Sequence, residues 1–143
     1  MLFSALLNVV WEMFAIAFYD MPSAAPSRPG IATGCLLAAL GDVGITLVAY
    51  AAASAIAGRR WLFHPSRSAR AAYLGLGIAV TIMLEYVNVR VLHRWAYASG
   101  MPTVAGIGAL PLVQWLVLPL IVLWLARRHL AGVVPGDPSR ATS

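Results

Sequence analysis

Three acidic residues stand in segments of the sequence that are otherwise apolar. They are Glu12, Asp42 and Glu85, and Gln114 has a comparable place in a fourth apolar segment. An acidic side chain at the centre of a membrane helix costs about 2.5–3.5 kcal/mol of insertion free energy, whereas each apolar neighbour repays about 0.3–0.6 kcal/mol. Such residues face protein, are protonated or share a cation. The three acids are therefore our candidate catalytic acid/base groups or ligands.

The composition indicates that these segments lie in a membrane. The chain has 143 residues, of which 61% are hydrophobic and 10% are charged, and its mean hydropathy is +0.81. A typical soluble domain has about 25% charged residues. The net charge of +5 comes from arginines beside the apolar segments. This placement is typical of membrane topology and not of nucleic-acid binding.

The apolar pattern predicts an all-α integral membrane protein, a bundle of four transmembrane helices. The predicted spans are approximately 2–19, 33–57, 71–92 and 108–126, each close to the roughly 20 residues that cross a bilayer. The first is interpreted as a retained span because no small-residue cleavage site follows it. The membrane domain takes residues 1–130, and 131–143 are predicted to form a disordered cytoplasmic tail. Residues 20–33, rich in Pro, Ser and Gly, are predicted to form a turn-rich loop.

The distribution of arginine predicts the topology. Seven of the ten arginines fall in the second loop and the tail, and three in or near the other two loops. The positive-inside rule then places both termini in the cytoplasm of a multi-pass protein of the plasma (inner) membrane. At a rise of 1.5 Å per residue, the three acids and Gln114 fall in one layer, roughly 5 Å to the extracytoplasmic side of the midplane.

Helical spacing places the polar residues of three spans in stripes, since residues three or four apart share a face. Small residues, which let membrane helices approach closely, follow a similar spacing. The stripes are Ser4, Asn8 and Glu12; Asp42, Thr46 and Tyr50; and Thr81, Glu85 and Asn88. The small residues are Gly34, Ala38, Gly41, Gly44, Gly75 and Gly77. We therefore expect polar stripes that face the bundle interior and close helix contacts at the small residues.

Residues around the acids are candidates for substrate binding: Asn8, Trp11, Asn88, Trp95, Tyr97 and Gln114. The third loop, 93–111, is too apolar for a plain solvent loop. It is an irregular loop, lies in the membrane interface or dips back over the polar layer as a lid. Arg90 lies five residues from Glu85 and points off its face, so an ion partner of Glu85 would come from another helix.

A purely structural interpretation of the polar residues is also open. Hydrogen bonds between polar side chains of neighbouring membrane helices stabilise the packing by about 0.6 kcal/mol each. Trp61, Trp95, Tyr97 and Trp124 near span ends are typical of interfacial anchors.

Two spacings indicate an internal duplication. Glu12 and Asp42 are 30 positions apart, and Glu85 and Gln114 are 29 apart. A Met-Pro pair also occurs in both the first and the third loop. These spacings favour two tandem helical hairpins related by an axis along the membrane normal.

Three classes of function remain open. The first is binding or modification of an amphiphile such as a lipid or isoprenoid. The second is a proton- or cation-coupled transporter subunit, which requires homo-oligomerisation. The third is an accessory subunit of a membrane complex. The sequence predicts no particular metal or cofactor. The lone Cys35 excludes a disulfide within the chain.

Small multidrug transporters share the length and an early intramembrane glutamate, but Asp42, Glu85 and the long third loop depart from their pattern. The expected partners are the lipid bilayer, a lipid-like ligand and a second copy, not nucleic acid.

Overall fold

The computed structural model describes residues 1–20, 28–64 and 66–133, most of which are helical. Four helices follow one another, and four two-residue strands lie between them. The helices are α1 (Leu2–Ala15, continued by a 3₁₀ turn, Ile16–Phe18), α2 (Arg28–Ala57), α3 (Arg67–Tyr86, continued by a π-helical turn, Val87–Val91) and α4 (Ala109–Val133). The strands are β1 (Tyr19–Asp20), β2 (Ala96–Tyr97), β3 (Thr103–Val104) and β4 (Ile107–Gly108).

Three of the helices are long and apolar enough to cross a membrane, over Pro29–Ala57, Arg67–Val91 and Ala109–Leu130. A fourth apolar segment, Leu2–Phe18, is shorter. Many outward side chains are large and apolar, for example Leu6, Val10 and Leu40, which are all more than half exposed. Exposed apolar faces are expected where lipid is the solvent. The structure therefore confirms the helical prediction and supports a membrane protein, with three helices long and apolar enough to span.

The helices pack so that α1 and α3 each contact both α2 and α4. At one end, the Phe3 and His129 rings meet edge to face at 5.8 Å, and Arg127 donates a hydrogen bond to the carbonyl of Leu62. At the other end, β1 pairs with β2, so that Tyr19 lies opposite Tyr97. The start of α1, the second loop and the end of α4 thus share one end, and the first and third loops meet at the other.

The aromatic core lies at the arginine-rich end, around Trp61. Its ring is only 1% exposed, and its indole NH donates to the Ser54 hydroxyl at 3.0 Å. The chain turns back here because Gly58 adopts a positive φ of 81°, which suits glycine. Trp61 is therefore a core residue, and its prediction as an interfacial anchor is wrong. Trp124, by contrast, is 53% exposed, and Arg128 lies over its ring. Its exposure is what an interfacial anchor requires.

The predicted first loop is too long at its C-terminal side. Residues 28–33 belong to α2, because proline is tolerated in the first turn of a helix, and Pro29 stands there. Thr33 further donates to the Pro29 carbonyl at 2.9 Å. The rest of this loop, 21–27, lies outside the described residues. The predicted tail starts inside the last turn of α4, which continues to Val133, and its remainder, 134–143, also lies outside the described part of the chain.

The predicted close contacts at small residues occur only at Gly77. A Cβ added at Gly77 would collide with the Trp115 ring, whereas one added at Gly34, Gly41 or Gly75 would meet nothing within 4 Å. Gly44 is equally open. Spacing along a helix places residues on one face, but it does not say whether another helix covers that face. The prediction is wrong for the glycines of α2.

The third loop is ordered and folds over the ends of the helices. β3 and β4 form a hairpin whose turn residues, Ala105 and Gly106, both have positive φ, as a type I′ turn requires. The Ala98 amide donates to the Phe18 carbonyl at 3.0 Å, which ties this loop to the first one. Two short strand pairs and this link to the first loop give the segment regular structure that a plain irregular loop would lack.

Candidate functional site

Gln114 is the centre of a buried polar junction between three helices. Its side chain is 5% exposed. The amide nitrogen Nε2 donates to Asn8 Oδ1 at 2.8 Å and to Asp42 Oδ2 at 2.7 Å. Both amide hydrogens are therefore used, one toward α1 and one toward α2. These two hydrogen bonds hold the Asp42 carboxyl and the Asn8 amide in place.

Glu12 of α1 lies near this junction. We call Glu12, Asp42, Glu85 and Gln114 together the carboxyl cluster. The Glu12 carboxyl lies within electrostatic range of Asp42, Glu85 and the Gln114 amide. The structure thus brings together the three predicted acids and Gln114. Carboxylates this close in an apolar region are stable only when protons, hydrogen-bond donors or a cation offset their charges. The cluster is therefore able to accept or hold a proton or a polar ligand.

Glu85 accepts hydrogen bonds from two tyrosines of the loops. Tyr97 Oη lies 2.8 Å from Glu85 Oε2, and Tyr19 Oη lies 3.4 Å from Oε1. Burial, followed by the hydrogen bond to Glu85, raises the pKa of Tyr97 to about 12, although the nearby Gly108 backbone lowers it. Burial and the charge of Glu85 also raise the pKa of Tyr19. Both phenols are therefore protonated donors at neutral pH. They cover the cluster on the side of the third loop, and we call these two tyrosines its roof.

A chain of hydrogen bonds leads away from the cluster toward the arginine-rich end. The Asn8 amide donates to the Ser4 carbonyl at 2.8 Å and to its hydroxyl at 3.2 Å. Ser4 in turn donates to the Thr46 hydroxyl at 3.4 Å. A cavity of about 10 Å³ borders Ser4, Asn8, Thr46 and Gln114. This volume is close to the minimum that holds one water molecule, and the four polar side chains supply its partners.

Three buried polar atoms have no hydrogen-bond partner within the described part of the chain. They are Thr81 Oγ1, Trp11 Nε1 and Trp95 Nε1. Thr81 is 7% exposed and lies one helical turn before Glu85 on the same face. Trp95 contacts the Tyr19 ring edge to face, and its indole NH lies near the Glu85 carboxylate without forming the bond. An unpaired buried donor costs about 1–3 kcal/mol, so each of these atoms has capacity for one further hydrogen-bond partner.

The remaining candidate residues have other surroundings. Asn88 is buried, but its amide donates to the Leu84 carbonyl at 2.8 Å and its Oδ1 accepts from Arg94 at 3.3 Å. It therefore fixes the π-helical end of α3, and one amide hydrogen and one lone pair of its side chain remain for a ligand. Trp11 is half-buried and contacts the Phe14 ring.

Sequence reasoning missed Tyr19. No ion pair to Glu85 occurs in the described residues, and the two phenols take the place that we expected a cation on another helix to fill. A signal was present, since Tyr19 and Tyr97 each stand shortly before a Met-Pro pair.

The described side chains do not converge on a metal. Over residues 1–20, 28–64 and 66–133, no three His, Cys, Asp or Glu side chains are grouped closely enough to hold one. Asp42 instead accepts a hydrogen bond from the Gln114 amide, and Glu85 accepts from two phenols. Comparison of the chain with protein-family models, with curated proteins and with solved structures finds no match.

Proposed function

We propose that α1 also crosses the membrane, which makes a bundle of four spanning helices with both termini in the cytoplasm. The apolar segment Leu2–Phe18 is about 26 Å long at 1.5 Å per residue, close to the thickness of a hydrocarbon core. The start of α1 shares an end with the second loop and with Arg127 and Arg128. The positive-inside rule puts that end in the cytoplasm of a plasma (inner) membrane. The carboxyl cluster then lies toward the extracytoplasmic side.

We propose that the cluster binds, or binds and modifies, an amphiphile such as a lipid or isoprenoid. The observation that carries this proposal is the unpaired, buried Thr81 hydroxyl beside a Glu85 carboxyl that already accepts from two phenols. A polar end that both accepts and donates, such as a hydroxyl group, would accept from Thr81 or Trp95 and donate to a carboxyl. The apolar remainder of the ligand would stay in the surrounding lipid.

The carboxyls have unequal environments, which supports acid/base chemistry. Glu85 contacts phenols at the roof, whereas Asp42 contacts the Gln114 amide deeper in the bundle. When the environments of two nearby carboxyls differ, one can act as a general acid and the other as a general base. We assign Glu12, Asp42 and Glu85 to these roles, and Asn8, Trp11, Trp95, Tyr97 and Gln114 to positioning the ligand.

Thermal unfolding in detergent tests this proposal. A prenyl alcohol should raise the Tm of the wild type, because a ligand at 100 times its Kd stabilises by about 2.7 kcal/mol, and a hydrocarbon of equal length should not. Glu85→Gln should lose the shift, and Asp20→Asn, at an exposed acid outside the cluster, should keep it. An equal shift with the hydrocarbon, or no shift with alcohol, amine or acid amphiphiles of the same chain length, would contradict the proposal.

A second function, proton-coupled transport, is favoured by the hydrogen-bond chain from Gln114 through Asn8 and Ser4 to Thr46. Such a chain extends the polar layer toward the cytoplasmic end, as a proton relay needs. Under this alternative, Asn8→Leu abolishes proton flux into vesicles loaded with a pH-sensitive dye. Under amphiphile binding alone, the wild type shows no flux above empty vesicles.

A further inference from the structure

An apolar groove of about 530 Å³ lies on the outside of the helices, away from the carboxyl cluster. Its walls come from α3, from the β3–β4 hairpin and from the first turn of α4. They include Ile82, Met83, Tyr86, Val104, Ile107 and Leu112. On α3 the groove residues Ile82, Met83 and Tyr86 are exposed, whereas Thr81 and Glu85 are buried. The groove and the cluster thus use different faces of the same helix.

A positive charge, that of Arg90, lies at the rim of this groove. Arg90 follows the groove residue Tyr86 by about one turn, and its side chain is exposed. Its guanidinium lies beside the hairpin turn, where a Cβ added at Gly106 would be 3.4 Å from Nη2. Gly106 stands between Ala105 and Ile107, which both line the groove. Within the described residues Arg90 forms no ion pair, so its charge is available to a ligand.

We infer that this groove holds one acyl chain of an anionic phospholipid, with the phosphate bound by Arg90. The planar guanidinium fork matches the geometry of a phosphate. The volume falls within the range of about 300–1,000 Å³ that is typical of ligand pockets. A positive charge at one end of an apolar trough is complementary to a lipid with an anionic head and an apolar tail. A zwitterionic lipid of the same chain length also carries a phosphate, but its own ammonium group offsets that charge, so Arg90 favours the anionic lipid.

The hairpin connects this groove to the roof of the carboxyl cluster. On its other side Gly108 packs against Tyr97, since a Cβ added there would be 3.0 Å from Tyr97 Cε1. Tyr97 is the residue that donates to Glu85. A lipid that fills the groove therefore supports the hairpin from behind and holds Tyr97 over the cluster.

Native mass spectrometry of protein released from nanodiscs of equal phosphatidylglycerol and phosphatidylcholine tests this inference. The wild type should retain phosphatidylglycerol in preference to phosphatidylcholine. Arg90→Gln should reduce that preference about fivefold, the effect of one basic residue near a charged lipid surface. Ala79→Leu, which narrows the groove, should reduce the retained amount of both lipids.

Arg67→Gln is the matched control, because it removes an exposed arginine at the opposite end of α3. It should keep the preference, and Arg90→Lys should keep most of it. Equal retention of the two lipids by the wild type would overturn the inference. The same loss in Arg67→Gln and Arg90→Gln would overturn it as well, since the preference would then come from net charge.

Discussion

The amide nitrogen of Gln114 lies 2.7 Å from a carboxyl oxygen of Asp42, between α4 and α2, where both side chains are more buried than exposed. The same nitrogen lies 2.8 Å from Asn8 Oδ1. One side chain of α4 therefore satisfies one acceptor on α1 and another on α2. No water is needed to join these three helices.

Gln114→Leu should destabilise the protein, because it removes both hydrogen bonds and leaves Asn8 and Asp42 buried without this donor. The expected loss is about 1–3 kcal/mol for each acceptor left unsatisfied. Reversible unfolding in mixed micelles, followed by circular dichroism, measures it. Val113→Ala, at the neighbouring exposed position, is the control and should change stability little. Equal stability of Gln114→Leu and the control would show that the junction is not as described.

Gly77→Ala should destabilise the protein through overpacking, since the added methyl group would collide with the buried Trp115 ring. Overpacking of a tight core costs typically about 1–3 kcal/mol. Gly75→Ala, two residues earlier and open to space, should instead be neutral or stabilise by up to about 1 kcal/mol through helix propensity. The unfolding experiment above compares the two variants. If they behave alike, α3 and α4 do not pack at Gly77.

Tyr97 should lose its proton late in an alkaline titration, near pH 12 instead of its ordinary value of 10.0. Because the folded state holds this proton more tightly than the unfolded state, Tyr97 contributes stability that is fully present below pH 10 and is lost as the pH rises through about 12. NMR of tyrosine labelled with ¹³C follows the step. Glu85→Gln should move it toward lower pH, since the neighbouring negative charge is gone. Tyr86→Phe, outside the cluster, should leave it in place, and a step unaffected by Glu85→Gln would contradict the contact.

The proposed topology predicts which positions an impermeant thiol reagent reaches in intact cells. With Cys35 replaced by alanine, Asp20→Cys and Ser99→Cys should react from outside, because they lie at the end where the first and third loops meet. Leu2→Cys and His64→Cys should react only after the membrane is opened. Reaction of Leu2→Cys in intact cells would show that α1 does not span, or that the orientation is reversed.

Helical spacing in the sequence predicted that the three acids and Gln114 lie in one region. This was possible because the face and the depth of a residue on a helix follow from 3.6 residues per turn and 1.5 Å per residue. It also placed Ser4 and Asn8 on the stripe that is buried. It could not find the roof, since Tyr19 and Tyr97 meet through a pairing of two loops that no helical period encodes. Nor could it tell that Trp61 is buried after the turn at Gly58, or that Gly34, Gly41 and Gly44 of α2 meet no neighbouring helix. Both depend on which faces neighbouring helices cover.

Mass spectrometry of the protein under native conditions, after purification in mild detergent, tests the carboxyl site most directly. Wild type is compared with Glu12→Gln, Asp42→Asn and Glu85→Gln, and with Asp20→Asn as the control. The account predicts a retained amphiphile that is present in wild type and Asp20→Asn and is lost or reduced in each of the three cluster variants. A wild type with no retained ligand after incubation with prenyl alcohols, or one whose ligand is unchanged in all three variants, would contradict it.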